Sequence, residues 1–275
     1  MSADNADNVE SAPEDEPQAP ALPGVPESQS LFAFLSTPSV WALGLLMVVG
    51  VGASEMVMGS VGNMVVALLP APTPSAWLSA AMTKPVVSPI ALQIRANQVK
   101  LLAAANTVSR LLGGLLSDAL APSGINSQRS YPTVSRITLL LGAVLLSSGA
   151  YAWAAFGLRT TDGLPLFSLS VGIGYGLVFT LVPAITVASF GNRHFGRNWG
   201  MLSYCCALGS LTYSLLYALV SDAVASKHDE HQGGKGALCT AGPECFRASF
   251  IVALVGMGLA GVALVPVWKR WRHHL

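Results

Sequence analysis

Charge is the scarcest commodity in this sequence. Only 11% of its 275 residues are charged, against 52% that are hydrophobic, whereas soluble domains average about 25% charged residues. The shortage is sharper than the average shows. Seven of the 14 acids (Asp4, Asp7, Glu10, Glu14, Asp15, Glu16 and Glu27) lie in the first 27 residues, a stretch without Lys or Arg. The net charge of +1 gives no basic footprint for nucleic acid. Histidine is missing from the apolar runs: His194, His228, His231, His273 and His274 all lie outside them. A membrane haem needs axial ligands within its helices, and a Ser–His membrane protease needs a base beside its nucleophile, so neither is expected. A Walker-type glycine–lysine loop is also missing, which excludes an ATP site of that kind. The chain is therefore not expected to be an enzyme or to carry a cofactor. No cationic leader precedes a short apolar core at the N-terminus, so a cleaved signal peptide is not expected either.

What the sequence has in quantity is apolar runs near or above the ~20 residues that a membrane-spanning helix needs. Six of them lie at about 40–69, 99–121, 136–157, 166–190, 199–224 and 247–268. Their length and glycine content predict α-helices, because barrel strands would read as alternating segments of ~10 residues. The fold class is thus all-α integral membrane with six transmembrane helices, residues 39–270 forming the domain and the lipid bilayer its solvent. Residues 1–38 are acidic and rich in Pro, Ala and Ser, and are expected to be disordered. Six spans put both termini on one side. The short loops SQRSYPTVSR and GNRHFGRN are basic, as is the WKRWRHHL end with its 271–275 tail. The positive-inside tendency places all three in the cytoplasm, although the Lys and Arg other than Arg110 divide seven against seven between the two sides. Pro70, Pro72 and Pro74 should keep helix out of the start of the long first loop. Trp41, Trp199, Trp268 and Trp271, near span ends, are expected interfacial anchors.

The stretch ANTVSRLLGGLLSDAL, residues 105–120, poses the functional question, since Arg110 stands inside an apolar helix. A charge at mid-bilayer costs ~2.5–3.5 kcal/mol on the lenient insertion scale. Asn106, Arg110, Gly114 and Asp118 recur every four residues, which lays them along one helix face. Such a stripe must look toward protein or a water-filled cavity rather than lipid. Arg110 then either serves a solute or is satisfied structurally by carbonyls and neighbouring helices. Glu55, in VVGVGASEMVMGSVGN of the first span, is the other buried charge and a partner that would lower the cost of both.

The fourth span, VGIGYGLVFTLVPAITVASFG, joins Gly172, Gly174 and Gly176, which permit close helix approach, to Pro183, which removes a backbone hydrogen bond. That combination suits a gating helix, and equally suits plain packing. Tyr175, Tyr204 and Tyr213 are either cavity-lining or core aromatics. Cys239 and Cys245 bracket CTAGPEC in the long fifth loop and are either a disulfide or two free thiols. Cys205 and Cys206 read as small apolar residues. The cluster His228, Asp229, Glu230 and His231 reads as a solvated loop rather than a metal site.

On these residues the chain resembles the C-terminal half of a major facilitator transporter. G-x-x-x-D at Gly114 to Asp118 is similar to the loop motif of that superfamily. The wider Asn106, Arg110, Gly114, Asp118 pattern is similar to its monocarboxylate-transporter branch, in which an Asp–Arg pair on this helix handles substrate and proton. Asn106 stands at the Asp position here, which leaves Glu55 as the acid of the membrane core. SFGNRHFGRNWGMLSY and CFRASF resemble the nodulin-like relatives of that branch, and within them the fungal vacuolar monocarboxylate-transporter homologues. The resemblance implies two six-helix halves with solute held between them near the midplane, of which one is present here, and residues 1–38 as the linker between them. It also implies a vacuolar membrane.

The function this implies is secondary transport of a small, monocarboxylate-like anion, moved with or without protons. Arg110 would face the anion, and Asn106, Glu55 and Tyr175 would line the cavity. Gly114, Asp118, Gly174 and Pro183 would gate or latch. The expected partners are lipid, the solute, and a missing N-terminal half or a second copy. The rival reading is a truncated or non-transporting membrane protein that acts by pairing.

Overall fold

The structure, a computed structural model, describes residues 30–69, 89–120, 134–229 and 239–272, with backbone alone at 228 and 229. A short helix, α1 (Leu31–Leu35), is capped by the Ser30 hydroxyl, which accepts from the Ala33 N–H. Six long helices follow: α2 (Pro38–Leu68), α3 (Pro89–Leu120), α4 (Arg136–Gly157), α5 (Leu164–Phe190), α6 (Phe195–Asp229) and α7 (Glu244–Trp271). All six are long and apolar enough to cross a membrane, and no strand occurs among the described residues. The fold is all-α, and the molecule is an integral membrane protein.

Local chemistry sets the ends of these helices. Pro38 opens α2 at its first turn, where a missing N–H costs nothing. The Ser135 hydroxyl accepts from the Ile137 N–H at the start of α4. Gly191 ends α5 at φ 75°, and Gly242, at φ 67°, turns the chain into α7; both are left-handed positions that a side chain would strain. Hydroxyls inside the spans mostly bond back to the preceding turn, as Ser54 does to the Gly50 carbonyl (2.7 Å) and Thr186 to that of Val182 (2.8 Å).

Between membrane helices there is no hydrophobic gain from leaving lipid, so association rests on close packing and polar contacts. Glycine provides the closest approaches. Gly172 and Gly176 of α5 lie against the backbone of α3 at Leu102 and Asn106, and Gly174 faces Ser147 and the Ala143 carbonyl of α4. Gly52 of α2 meets the backbone of Gly209 on α6, where a Cβ on either would overlap main chain. This crossing falls beside a π-helical turn, Met47–Val51, which widens α2 just where Gly209 meets the Val48 carbonyl. Helices α4 and α7 run antiparallel, joined at one end by Trp268 Nε1 donating to Thr138 Oγ1 (2.9 Å) and at the other by Arg247 over the Phe156 ring.

Beyond shifts of up to five residues at helix ends, three features depart from the sequence expectation. The 1–38 segment is not irregular to its end: α1 forms within it, Phe34 is buried, and its ring meets Phe190 edge-on at 4.9 Å. Residues 1–29 lie outside the described residues. Helix α3 begins ten residues earlier than the apolar run, at Pro89 rather than 99; at 32 residues it is about 48 Å long, more than a bilayer core spans, so its first turns are polar and hydropathy misses them. The third difference is Trp271, which is fully buried rather than an interfacial anchor, whereas Trp41 is exposed and donates to the Leu35 carbonyl (2.7 Å).

Candidate functional site

Helix α3 buries Leu102, Ala105, Ser109, Gly113 and Ser117, a line at helical spacing that seats it on α5. The Asn106–Arg110–Gly114–Asp118 stripe is rotated one residue away from this seam. Arg110 and Asp118 are consequently exposed and Asn106 and Gly114 half-buried. Neither charged group of the stripe is therefore buried in the seam between α3 and α5.

Arg110 is held from two sides. Its Nε donates to Asn106 Oδ1 (2.9 Å), one turn back on the same helix. Its guanidinium carbon lies 4.9 Å from the Phe179 ring centre and 5.7 Å from that of Tyr175, both on α5. These two rings are themselves in contact, 4.9 Å being matched by 4.8 Å between their centroids. The amide of Asn106 orients the guanidinium without cancelling its charge, which an aspartate there would do. Ring faces are negative and attract the cation, yet they also leave its charge formally whole.

Glu55 approaches from α2. The Tyr175 hydroxyl donates to Glu55 Oε1 at 3.3 Å, so Tyr175 stands between carboxylate and guanidinium, its hydroxyl toward one and its ring toward the other. The ion pair expected between Glu55 and Arg110 is not formed: among the described residues the ion pairs are Arg136–Asp118 and Arg247–Glu244. The tyrosine supplies the spacing that sequence could not show. Next to Glu55, Ser54 bonds across the core to Tyr151 of α4 at 3.0 Å, which fixes this turn of α2.

An open cavity of about 680 Å³ adjoins Glu55 and Phe179, its other wall formed by Ser203, Cys206, Ser210 and Ser214 of α6. These α6 residues fall at one helix face, spaced three or four apart, a small polar stripe that was readable in the sequence but is diluted there by the surrounding leucines. Phe179 and this stripe are the site residues that the sequence analysis missed. Of the other tyrosines, Tyr213 is buried and lies against Gly256, while Tyr204 is exposed and does not line the cavity.

The remaining candidates lie apart from this cluster. Asp118 pairs with Arg136 at the start of α4 (3.1 Å), and the same arginine donates to Ser117 Oγ (3.1 Å), so the loop motif ties α3 to α4 at their shared end. Gly174 faces α4, not the cavity. Pro183 is half-buried within a helix that continues unbroken through it, one turn beyond Phe179, whose carbonyl thereby loses its i+4 donor. Cys239 and Cys245 are joined as a disulfide with Cα atoms 5.9 Å apart. Cys205 packs at Gly44 and Cys206 borders the cavity, both as free thiols. Among the described residues no group of His, Cys, Asp and Glu is placed to hold a metal; the HDEH cluster lies outside the described side chains, as do residues 70–88 with Pro70, Pro72 and Pro74.

The chain is similar to several fungal proteins named probable transporter mch1. The one from Aspergillus fumigatus is 28% identical over 263 residues, covering 87% of this chain and 39% of the relative. The one from Yarrowia lipolytica is 32% identical over 174 residues, 62% of this chain and 33% of the relative. The one from Debaryomyces hansenii is 22% identical over 253 residues, 92% and 43% respectively. The chain therefore spans about two fifths of the length of these relatives. No protein-family model matches it, and no solved structure does.

Proposed function

We propose that this chain is one six-helix half, the C-terminal one, of a major-facilitator-type secondary transporter for a small monocarboxylate-like anion, in a vacuolar membrane. The observation that carries the reading is Arg110: a guanidinium in the apolar middle of a helix, held by an amide and two ring faces, and with no carboxylate partner among the described residues. An arginine kept cationic at such a cost is matched to an anion that comes and goes. Its planar fork of donors suits a carboxylate, which it can grip through two parallel hydrogen bonds. Similarity to proteins named probable transporters supports the transporter class.

Glu55 has the coupling role in this reading. An anion seated at Arg110 adds a second negative charge near Glu55, and protonation of Glu55 relieves that repulsion. Tyr175 links the two events, because its hydroxyl donates to the carboxylate while its ring supports the guanidinium. Anion and proton then move together. Asp118, by its bond to Arg136, latches the ends of α3 and α4.

Uptake by sealed vesicles containing the full chain, with the N-terminal half of the Aspergillus fumigatus relative co-expressed, tests the assignment. Arg110→Ala should abolish carboxylate uptake, and Arg110→Lys should retain a small part of it, since lysine keeps the charge but loses the fork. Normal uptake by Arg110→Ala in a folded protein would sink the proposal. The rival reading, a half that pairs without transporting, predicts membrane assembly with no flux in any variant.

A further inference from the structure

A second cationic site lies at the opposite end of α4 from the Asp118–Arg136 bond. Helix α4 closes in a π-helical turn, Trp153–Gly157, followed by Leu158 and Arg159. Helix α7 begins beside it, with Glu244 and Arg247 in its first turn. Between the two helix ends is a cavity of about 260 Å³, lined by Phe156, Leu158, Arg159, Pro243, Glu244 and Arg247. It shares no residue with the Glu55 cavity.

Its two arginines are not equally engaged. Arg247 lies over the Phe156 ring at 5.9 Å and bonds Glu244 at 3.3 Å, through side chains that are both largely exposed. An exposed pair of this kind contributes little and is readily exchanged. Arg159 is exposed and has no hydrogen-bond or ion-pair partner among the described residues. Two guanidiniums thus border one small cavity with a single, weakly held carboxylate between them. The walls are fixed: the disulfide Cys239–Cys245 clamps the turn into α7, with Cys245 buried, and Leu158 N–H bonds the Trp153 carbonyl at 2.8 Å.

The level in the membrane identifies the ligand chemistry. Helix α4, at 22 residues, is about 33 Å long, close to the thickness of a hydrocarbon core, so a bilayer centred on this helix puts Arg159, two residues past its end, at headgroup depth. Phe156 and Trp153 are exposed directly beneath it, in the place of an aromatic belt. On the same face as Phe156, α4 presents Leu145 and Gly149, both exposed, an apolar track leading away from the cavity. We propose that Arg159 and Arg247 form a binding site for a phosphate group, with an anionic phospholipid headgroup as its source and the acyl chain along the exposed face of α4. Guanidinium forks recognise phosphate in the bidentate manner this arrangement permits. Glu244 is displaced from Arg247 when the phosphate binds. This site does not depend on the transport reading.

The test is native mass spectrometry of the full chain in detergent, with phosphatidylglycerol or phosphatidylcholine added, alongside thermal melting with millimolar inorganic phosphate. Arg159→Gln, which removes no hydrogen bond or ion pair among the described residues and should fold normally, is compared with Arg159→Gln/Arg247→Gln. The expected result is at least a fivefold preference for phosphatidylglycerol, reduced in Arg159→Gln and lost in the double variant. Glu244→Gln should strengthen retention. If inorganic phosphate raises the melting temperature of the unaltered chain but not of the double variant, without any lipid preference, the site stands and its lipid source is overturned. If the unaltered and doubly substituted chains respond identically to both probes, the site itself is overturned.

Discussion

Tyr175 is the residue through which the candidate site becomes a single system. The sequence offers it as one of three tyrosines that could line a cavity or pack, and the resemblance singles it out as a cavity residue, but its particular part follows from contacts with two other helices. The hydroxyl reaches Glu55 of α2 and the ring supports Arg110 of α3. Tyr175→Phe keeps the ring and removes the donor, so carboxylate affinity should change by no more than a few-fold while the pH dependence of uptake shifts. Glu55→Gln should remove that pH dependence almost entirely and leave measurable uptake, because a neutral glutamine imitates the protonated acid. Uptake measured between pH 5 and 8 separates the two; a Glu55→Gln profile that parallels the unaltered protein would exclude a coupling role for Glu55.

At the scale of the helix, glycine divides into positions that are required and positions that are spare. Gly209 meets the Val48 carbonyl at the α2–α6 crossing, and Gly59 has nothing near its missing Cβ. Gly209→Val should cost about 1–3 kcal/mol or more through forced separation of the helices, read as a lowered melting temperature in detergent. Gly59→Ala should be neutral or stabilising by up to about 1 kcal/mol, since alanine is the better helix former. Gly174→Ala should also destabilise, by collision with Ser147, and adding Ser147→Ala should recover part of the loss, because it removes the hydroxyl on which the new methyl falls. Independent, additive effects at 147 and 174 would contradict that contact.

At the scale of the whole molecule, two helices are the least covered by the rest of the chain. Helix α3 exposes Val108, Leu111, Leu112 and Leu115, and α6 exposes Leu208, Leu211, Leu215 and Leu219, next to the polar edges that carry Arg110 and the α6 serines. Lipid covers leucines without difficulty but not a guanidinium. The chain, spanning about two fifths of its relatives, should therefore be unstable or self-associating by itself in detergent. Co-expression with the remaining part of the Aspergillus fumigatus relative should raise its yield as a discrete complex on gel filtration. Arg110→Leu, by removing the charge that lipid cannot solvate, should improve the yield of the chain made alone. Equal yields of Arg110→Leu and the unaltered chain, each made alone, would contradict this.

The membrane class, the all-α fold and the extents of five of the six long helices to within about five residues were legible in the sequence alone, because hydrocarbon imposes one requirement, an apolar helix about 20 residues long, that composition satisfies or fails locally. The presence of Arg110, Glu55 and Asp118 in those spans was equally visible, as a charge in an apolar run needs no partner to be noticed. Which of them meet was decided by tertiary structure. Helical periodicity laid Asn106 to Asp118 on one face, but not the rotation that buries the neighbouring Ser109 and Gly113 line and leaves Arg110 exposed against the Phe179 ring. Nor could it tell that Tyr175 would separate Glu55 from Arg110, while Asp118 closed on Arg136. Pairing across helices depends on where glycines let backbones approach, and that distance is a property of two helices at once, not of either sequence segment by itself.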